Sequence, residues 1–152
     1  MQRVVVILIL IQIGGLGVIT IISGLMILMH KKMGIGDRLL LQDALNLNSL
    51  SGLVRFVKRV VTGTFIIEGI GALIYMTVFI PEFGAKGIWI SVFTAVSAFC
   101  NAGFDIMGTK SGEFTSLTHY SAQPVINITI MLLIIVGGIG FLVWEDIYKH
   151  KW

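Results

Sequence analysis

The sequence predicts an all-α transmembrane protein, on the evidence of its composition and the spacing of its charges. Of 152 residues, 56% are hydrophobic and only 12% are charged, about half the charged fraction of a soluble domain. The mean hydropathy of +0.95 excludes a disordered chain, because disorder requires low hydrophobicity. A single cysteine excludes a disulfide framework, a cysteine-based zinc site and an iron–sulfur cluster held within this chain.

Charged residues are nearly absent from four stretches, and three of these reach the roughly 20 apolar residues that cross a bilayer. The three long stretches are 4–29, 60–81, which contains one charge at Glu68, and 114–144. The first is far longer than the apolar core of a signal peptide and no small-residue cleavage site follows it. We therefore expect a retained helix there and two further spans.

The remaining uncharged stretch, 87–104, is shorter. Its interior contains four polar side chains: Ser91, Thr94, Ser97 and Asn101. Residues 88–100 would form a helix of about 20 Å, which is too short to cross but long enough to reach the middle of the bilayer. Gly103 tolerates a positive φ, so the sequence predicts a helix that dips into the membrane and then turns.

Lysine and arginine orient the predicted spans. Six of them lie in residues 30–59, whereas residues 82–123 carry only Lys86 and Lys110. The positive-inside rule therefore places the connector 30–51 in the cytoplasm, and this topology accounts for the net charge of +3 without a nucleic-acid-binding patch. The alternating leucines and polar residues of the connector predict either an amphipathic helix at the interface or a docking surface for a cytoplasmic partner.

A short motif, G-G-x-G, occurs in both the first and the last span. Its glycines are Gly14, Gly15 and Gly17 in the first span and Gly137, Gly138 and Gly140 in the last. Small residues allow close packing of membrane helices, and the same glycines could bend a helix beside a permeation path. A nucleotide-binding loop is disfavoured because it needs a preceding strand and a helix start at the motif.

A span, a short dipping helix, a glycine turn and a returning span form the layout of a pore-loop channel. Dehydrated cations need replacement oxygens, and backbone carbonyls supply them where the chain is extended. Non-helical backbone at membrane depth is tolerated only where it is buried in protein or lines water. The C-terminal end of the dipping helix would also direct its negative dipole towards the pore centre, which favours cations.

One stretch carries a specific family resemblance: Ser97-Ala98-Phe99-Cys100-Asn101-Ala102-Gly103-Phe104. It resembles the filter region of the Trk/Ktr/HKT potassium transporters, and residues 45–58 and both G-G-x-G helices are similar to the Ktr branch. The resemblance implies a pore-loop cation channel-like transporter with four span–pore loop–span repeats around one pore. Residues 1–29 would close one repeat, 52–145 would form most of the second repeat, and 146–152 would begin the next connector. The chain would then be a fragment of a longer protein.

The same resemblance implies potassium uptake by passive conduction. The filter carbonyls would belong to Asn101, Ala102, Gly103 and Phe104, and Gly103 would favour potassium over sodium. The family further implies a homodimer in the plasma membrane (the bacterial inner membrane) that docks on a cytoplasmic nucleotide-binding ring. Potassium would be substrate, with no covalent cofactor and no nucleic-acid partner. Two alternatives remain open, a sodium-permeable member of the superfamily and a non-conducting membrane assembly subunit. An enzyme is disfavoured because no nucleophile–base pair or metal set is visible.

Three further residues lie near the predicted filter or inside a span. Glu68 either makes a structural hydrogen bond that supports the dipping helix or filter, or lines the ion path. Asp105 either attracts cations at the mouth or caps the filter turn. Cys100 lies next to the filter and is predicted to support the filter or pore. It has no base at a readable spacing and is not predicted to be a catalytic thiol. The three tryptophans fit an interfacial belt, and the three histidines show no metal-binding spacing.

Overall fold

The computed structural model of the chain describes residues 2–17, 50–108 and 116–149, and within these ranges all regular secondary structure is helical. The helices are α1 (Gln2–Leu16), α2 (Leu50–Phe83), α3 (Lys86–Phe99), α4 (Pro124–Gly138) and α5 (Phe141–Lys149), with a 3₁₀ turn at Thr118–Tyr120. The second half of the first predicted span, nearly all of the connector 30–51, and the last residues of the chain lie outside the described residues.

Helix α2 is long and apolar enough to cross a bilayer by itself. Its apolar segment, Arg55–Phe83, has 29 residues and extends about 43 Å, more than the roughly 30 Å of hydrocarbon in a bilayer. The helix ends because Gly84 adopts a φ of +61° and donates its N–H to the carbonyl of Ile80 at 2.8 Å. This is the left-handed glycine cap that commonly closes helices.

Helix α3 follows after two residues and is too short to cross a bilayer. It has 14 residues, or about 21 Å, and runs from Lys86 to Phe99, where the sequence predicted 88–100. Gly87 permits its first turn to lie directly against α2, because a Cβ at this position would overlap the carbonyl group of Phe79.

The interior of the unit formed by residues 1–15 and 65–139 is built around α3. Every side chain from Phe93 to Phe99 is buried, and Phe93 and Val96 form a hydrophobic cluster with Ile11 of α1. The polar residues of α3, Ser91, Thr94 and Ser97, are therefore also buried in protein. The Ser91 hydroxyl, for example, donates to the carbonyl of Gly87 at 2.7 Å within the same helix.

The predicted span 114–144 is not one continuous helix. Pro124 occupies the start of α4, a position that proline favours, and α4 ends at Gly138. Gly140 has a φ of +91°, which interrupts the helix before α5 begins. On length and composition, α4 and α5 meet the criterion for crossing a membrane only when they are counted together as one broken span.

A second unit comprises residues 16–64 and 140–152, and its described part contains the first turns of α2 and helix α5. Nη1 of Arg59 donates to both carboxylate oxygens of Glu145, at 2.7 and 2.9 Å. The guanidinium of Arg59 also lies 4.2 Å from the ring centroid of Tyr148. A charge-assisted pair and a cation–π contact thus fasten α5 to α2 at one point.

Candidate functional site

The C-terminal end of α3 is closed by a hydrogen-bonded turn centred on Asn101. The N–H of Asn101 donates to the carbonyl of Ala98 at 3.1 Å, and the N–H of Ala102 donates to the carbonyl of Ser97 at 2.9 Å. With Asn101 at a φ of +53°, this pair of bonds is a Schellman motif, in which asparagine is the usual substitute for glycine. Asn101 therefore terminates the helix and directs the chain away from its axis.

Gly103 adds a second left-handed position two residues later. Its φ is +72°, and a Cβ placed there would have no neighbour within 4 Å. The need for glycine is thus conformational rather than steric, because a side chain would fit but the backbone angle would be strained. Residues 102–105 consequently form no regular secondary structure.

The Ser97 side chain anchors the far end of this non-helical segment. Its hydroxyl donates to the Phe104 carbonyl at 2.7 Å and accepts from the Phe104 N–H at 2.9 Å. Ser97 is only 3% exposed, so water competes little for either bond. A single buried hydroxyl thereby fixes the length and position of the segment between Asn101 and Phe104.

Glu68 of α2 connects α1 to the end of α3. One carboxylate oxygen of this buried residue accepts a hydrogen bond from Nε2 of Gln12 in α1 at 3.1 Å. The other lies 3.9 Å from Sγ of Cys100, the residue that follows α3. The carboxylate thus links α1, α2 and the start of the turn.

Two motif glycines allow α1 and α4 to approach the same end of α3. A Cβ at Gly15 would overlap the side chain of Cys100, and a Cβ at Gly137 would overlap the backbone carbonyl of Phe99. A Cβ at Gly138 would lie 3.7 Å from Nδ2 of Asn101, an ordinary contact distance, and a Cβ at Gly14 would have no neighbour within 4 Å. Only one glycine of each motif is therefore required for this close contact.

The last glycine of each motif has a different role. Gly17 has a φ of +77° and Gly140 a φ of +91°, and each follows the end of a helix. Within each motif, one glycine permits a close approach to α3, and the last glycine has a positive φ beyond the end of its helix.

Asp105 lies just beyond the anchored segment. Its Oδ1 accepts a hydrogen bond from the N–H of Met107 at 2.9 Å, which is a local turn-capping interaction. Behind the segment is a cavity of about 150 Å³ lined by residues that include Thr94, Ser97 and Gly103. The hydroxyl of Thr94 is buried there without a protein hydrogen-bond partner.

The structure brings most of the predicted site residues together and adds two. Glu68, Cys100 and residues 101–105 meet at one end of α3. Ser97 and Gln12 had no assigned role, although Ser97 belongs to the motif that carries the family resemblance. Within the described ranges, no group of three or more His, Cys, Asp or Glu side chains could hold a metal ion.

These features define an all-helical membrane protein with a short buried helix that ends in a non-helical, anchored turn. The chain belongs to the TrkH family: the family model, described as a cation transport protein, matches residues 3–151. At the level of the family the activity is therefore cation transport rather than catalysis, and the location is a membrane.

Three relatives illustrate the similarity. The chain is 42% identical over 142 residues to the potassium/sodium uptake protein NtpJ of Enterococcus hirae. It is 39% identical over 143 residues to the Ktr system potassium uptake protein B of Bacillus subtilis, and 32% identical over 142 residues to the protein of the same name from Vibrio alginolyticus. Each match covers 93% of this chain but only 30% or 31% of the relative.

Proposed function

We propose that this chain forms part of a potassium uptake protein, and that residues 101–104 contribute one side of its selectivity filter. The observation that carries the proposal is the turn after α3, where left-handed residues at Asn101 and Gly103 hold the backbone out of the helix. Non-helical backbone of this kind can direct carbonyl oxygens at a dehydrated cation. Relatives named as potassium uptake proteins support the same function.

The hydrogen bonds around the turn refine the proposed set of ion ligands. The carbonyls of Ser97 and Ala98 are occupied by the helix cap, and the Phe104 carbonyl already accepts the Ser97 hydroxyl. A carbonyl has two lone pairs, so Phe104 retains one for an ion. We assign the main coordination to the carbonyls of Asn101, Ala102 and Gly103, with Phe104 as a weaker fourth ligand and Ser97 and Glu68 as supports.

The proposed assembly follows from the family. The protein would be a multi-pass subunit of the bacterial inner membrane, present as a homodimer, with four span–pore loop–span repeats that together close the filter. A cytoplasmic nucleotide-binding ring would be its regulatory partner. Conduction would be passive, since carbonyl coordination replaces water around the ion and requires no covalent step.

The Gly103→Ser substitution tests the filter assignment in the complete transporter. A residue with a Cβ is strained at a φ of +72°, so the carbonyls on either side must reorient. We expect the preference for potassium over sodium to fall about tenfold, which corresponds to about 1.4 kcal/mol. The measurement is competitive uptake of potassium and sodium into proteoliposomes.

Gly108→Ser is the matched control, because Gly108 lies in the same connecting segment, has no neighbour within 4 Å and has no positive φ. Its selectivity should equal that of the unmodified protein. Equal selectivity in the Gly103→Ser and Gly108→Ser proteins, with both folded, would contradict the filter assignment.

A sodium-permeable transporter is the second candidate, and the relative named a potassium/sodium uptake protein favours it. The same uptake assay separates the two candidates, since that transporter would show little preference for potassium before any substitution. A folded protein that passes neither ion would instead indicate the non-conducting assembly subunit.

A further inference from the structure

The cavity behind the turn has a buried hydroxyl in its wall that bonds no protein group. The walls of this cavity come from α3, from the turn that follows it and from Ile130 and Ile134 of α4. Thr94 lines the cavity and is only 3% exposed. In the described part of the chain its hydroxyl has no hydrogen-bond partner. Burial of an unpaired hydroxyl costs free energy, so a partner at this position would be stabilising.

A hydroxyl on a helix does not need a cavity to find a partner. Serine and threonine can donate to the carbonyl one turn earlier in the same helix. Ser91 donates to Gly87 in this way, and Thr129 donates to Val125, each at 2.7 Å. Thr94 does not make this bond, so the cavity is the place from which a partner can reach its hydroxyl.

The N–H of Gly103 is a second polar group at this cavity without a described protein partner. The N–H groups of Asn101 and Ala102 donate to carbonyls at the end of α3. The N–H of Phe104 donates to the Ser97 hydroxyl. The N–H of Gly103 makes no such bond to a described residue, and Gly103 lines the cavity. Backbone N–H groups that protein leaves unpaired are satisfied by water.

The size and the polar groups of the cavity select water as its ligand. A buried water molecule needs about two to four polar partners and occupies roughly 30 Å³ in the liquid, so a cavity of about 150 Å³ has room for several. Besides Thr94 and Gly103, the lining includes Asp105. One carboxylate oxygen of Asp105 accepts the N–H of Met107, and a carboxylate has a second oxygen that can accept from water.

We propose that water bound in this cavity links the Thr94 hydroxyl to the Gly103 N–H and thereby orients the filter. The proposal rests on the proposed assignment of residues 101–104 to the filter. Because the peptide unit is planar and trans, the Ala102 carbonyl points away from the Gly103 N–H. Water that holds this N–H at the cavity therefore holds the Ala102 carbonyl on the opposite side, towards the ion. Thr94 is then a positioning residue for selectivity that does not itself contact potassium.

Substitution of Thr94 in the complete transporter tests this role. Thr94→Val keeps the shape of the side chain and removes the hydroxyl, whereas Thr94→Ser retains the hydroxyl. In competitive uptake of potassium and sodium, we expect Thr94→Val to lower the preference for potassium about fivefold, the effect of one net hydrogen bond. Thr94→Ser should keep the preference of the unmodified protein.

Thr129→Val is the matched control, because Thr129 is also a buried helical threonine but its hydroxyl is paired within its own helix. Its preference for potassium should equal that of the unmodified protein.

Cryo-electron microscopy at a resolution that shows water provides a measurement that does not depend on ion flux. We expect density within hydrogen-bond distance of Oγ1 of Thr94 and of the Gly103 nitrogen, and loss of this density in Thr94→Val. If Thr94→Val does not fold, the density in the unmodified protein decides.

Two results would overturn the proposal while the filter assignment stands. One is a map of the unmodified protein in which a protein side chain, or no density, lies between Thr94 and Gly103. The other is an unchanged preference for potassium in folded Thr94→Val beside a reduced preference in Gly103→Ser. An unchanged preference in both variants would contradict the filter assignment itself, and the role of Thr94 in selectivity would be wrong with it.

Discussion

The two G-G-x-G motifs share a sequence pattern but use their glycines differently. In the first motif a Cβ on the second glycine, Gly15, would overlap the Cys100 side chain. In the second motif a Cβ on the first glycine, Gly137, would overlap the Phe99 carbonyl. The last glycines, Gly17 and Gly140, behave alike, because both have a positive φ after the end of a helix.

The difference separates two kinds of requirement for glycine. A positive φ is a local property of the chain, so it recurs at the same position of both motifs. A close contact depends on which face of a helix meets its neighbour, and successive positions on a helix lie about 100° apart. The same motif can therefore place a different glycine at the contact.

The largest effect is expected for Gly137→Ala. Its Cβ would lie 2.9 Å from the carbonyl carbon of Phe99 and would overlap the oxygen. Backbone cannot rotate away as a side chain can, so we expect a loss of about 3 kcal/mol or more in the free energy of unfolding. Thermal unfolding of the complete transporter, followed by fluorescence-detected size-exclusion chromatography, measures this loss.

Gly138→Ala is the control for Gly137→Ala within the same motif. Its Cβ would have one neighbour, at 3.7 Å, so the unfolding temperature should change little. If the two alanine variants unfold at the same temperature, the contact between α4 and α3 is not as close as the structure indicates.

A smaller effect is expected for Gly15→Ala, because the overlapping group is a side chain. We expect a loss of about 2 kcal/mol, and Cys100→Gly should restore most of it since that substitution removes both overlapping side-chain atoms. A double-mutant cycle on unfolding temperature gives the coupling between the two positions.

Gly14→Ala provides the control for this motif, because its Cβ would have no neighbour within 4 Å. If Gly15→Ala lowers the free energy of unfolding equally with and without Cys100→Gly, then Gly15 is required for some reason other than this contact.

The smallest effect is expected at the left-handed position Gly140. Alanine there should cost about 1 to 2 kcal/mol through backbone strain. Asparagine should cost less, because it tolerates this conformation. Thermal unfolding of the Gly140→Ala and Gly140→Asn proteins measures the difference in stability. Equal losses of stability in the two variants would mean that backbone strain at the positive φ does not cause the loss.

Much of the candidate site could be read from local sequence. The motif from Ser97 to Phe104 located the turn, and Asn101 and Gly103 are residue types that adopt a positive φ. Local sequence did not indicate that Ser97 bonds Phe104 across seven residues, nor that Gln12 reaches Glu68 across 56 residues. Such bonds depend on how the chain folds back, and no pattern of residue types encodes their distance.

The sequence by itself determined the membrane character, the helical class and the short length of α3. These properties follow from the count and spacing of apolar and charged residues, which act on the chain locally through solvation. Only the tertiary structure decided where the span 114–144 is broken, which glycine of each motif is in contact, and that Glu68 joins α1 to the end of α3. These features depend on the approach of segments distant in sequence, because packing contacts are short-ranged and are fixed only when the helices meet.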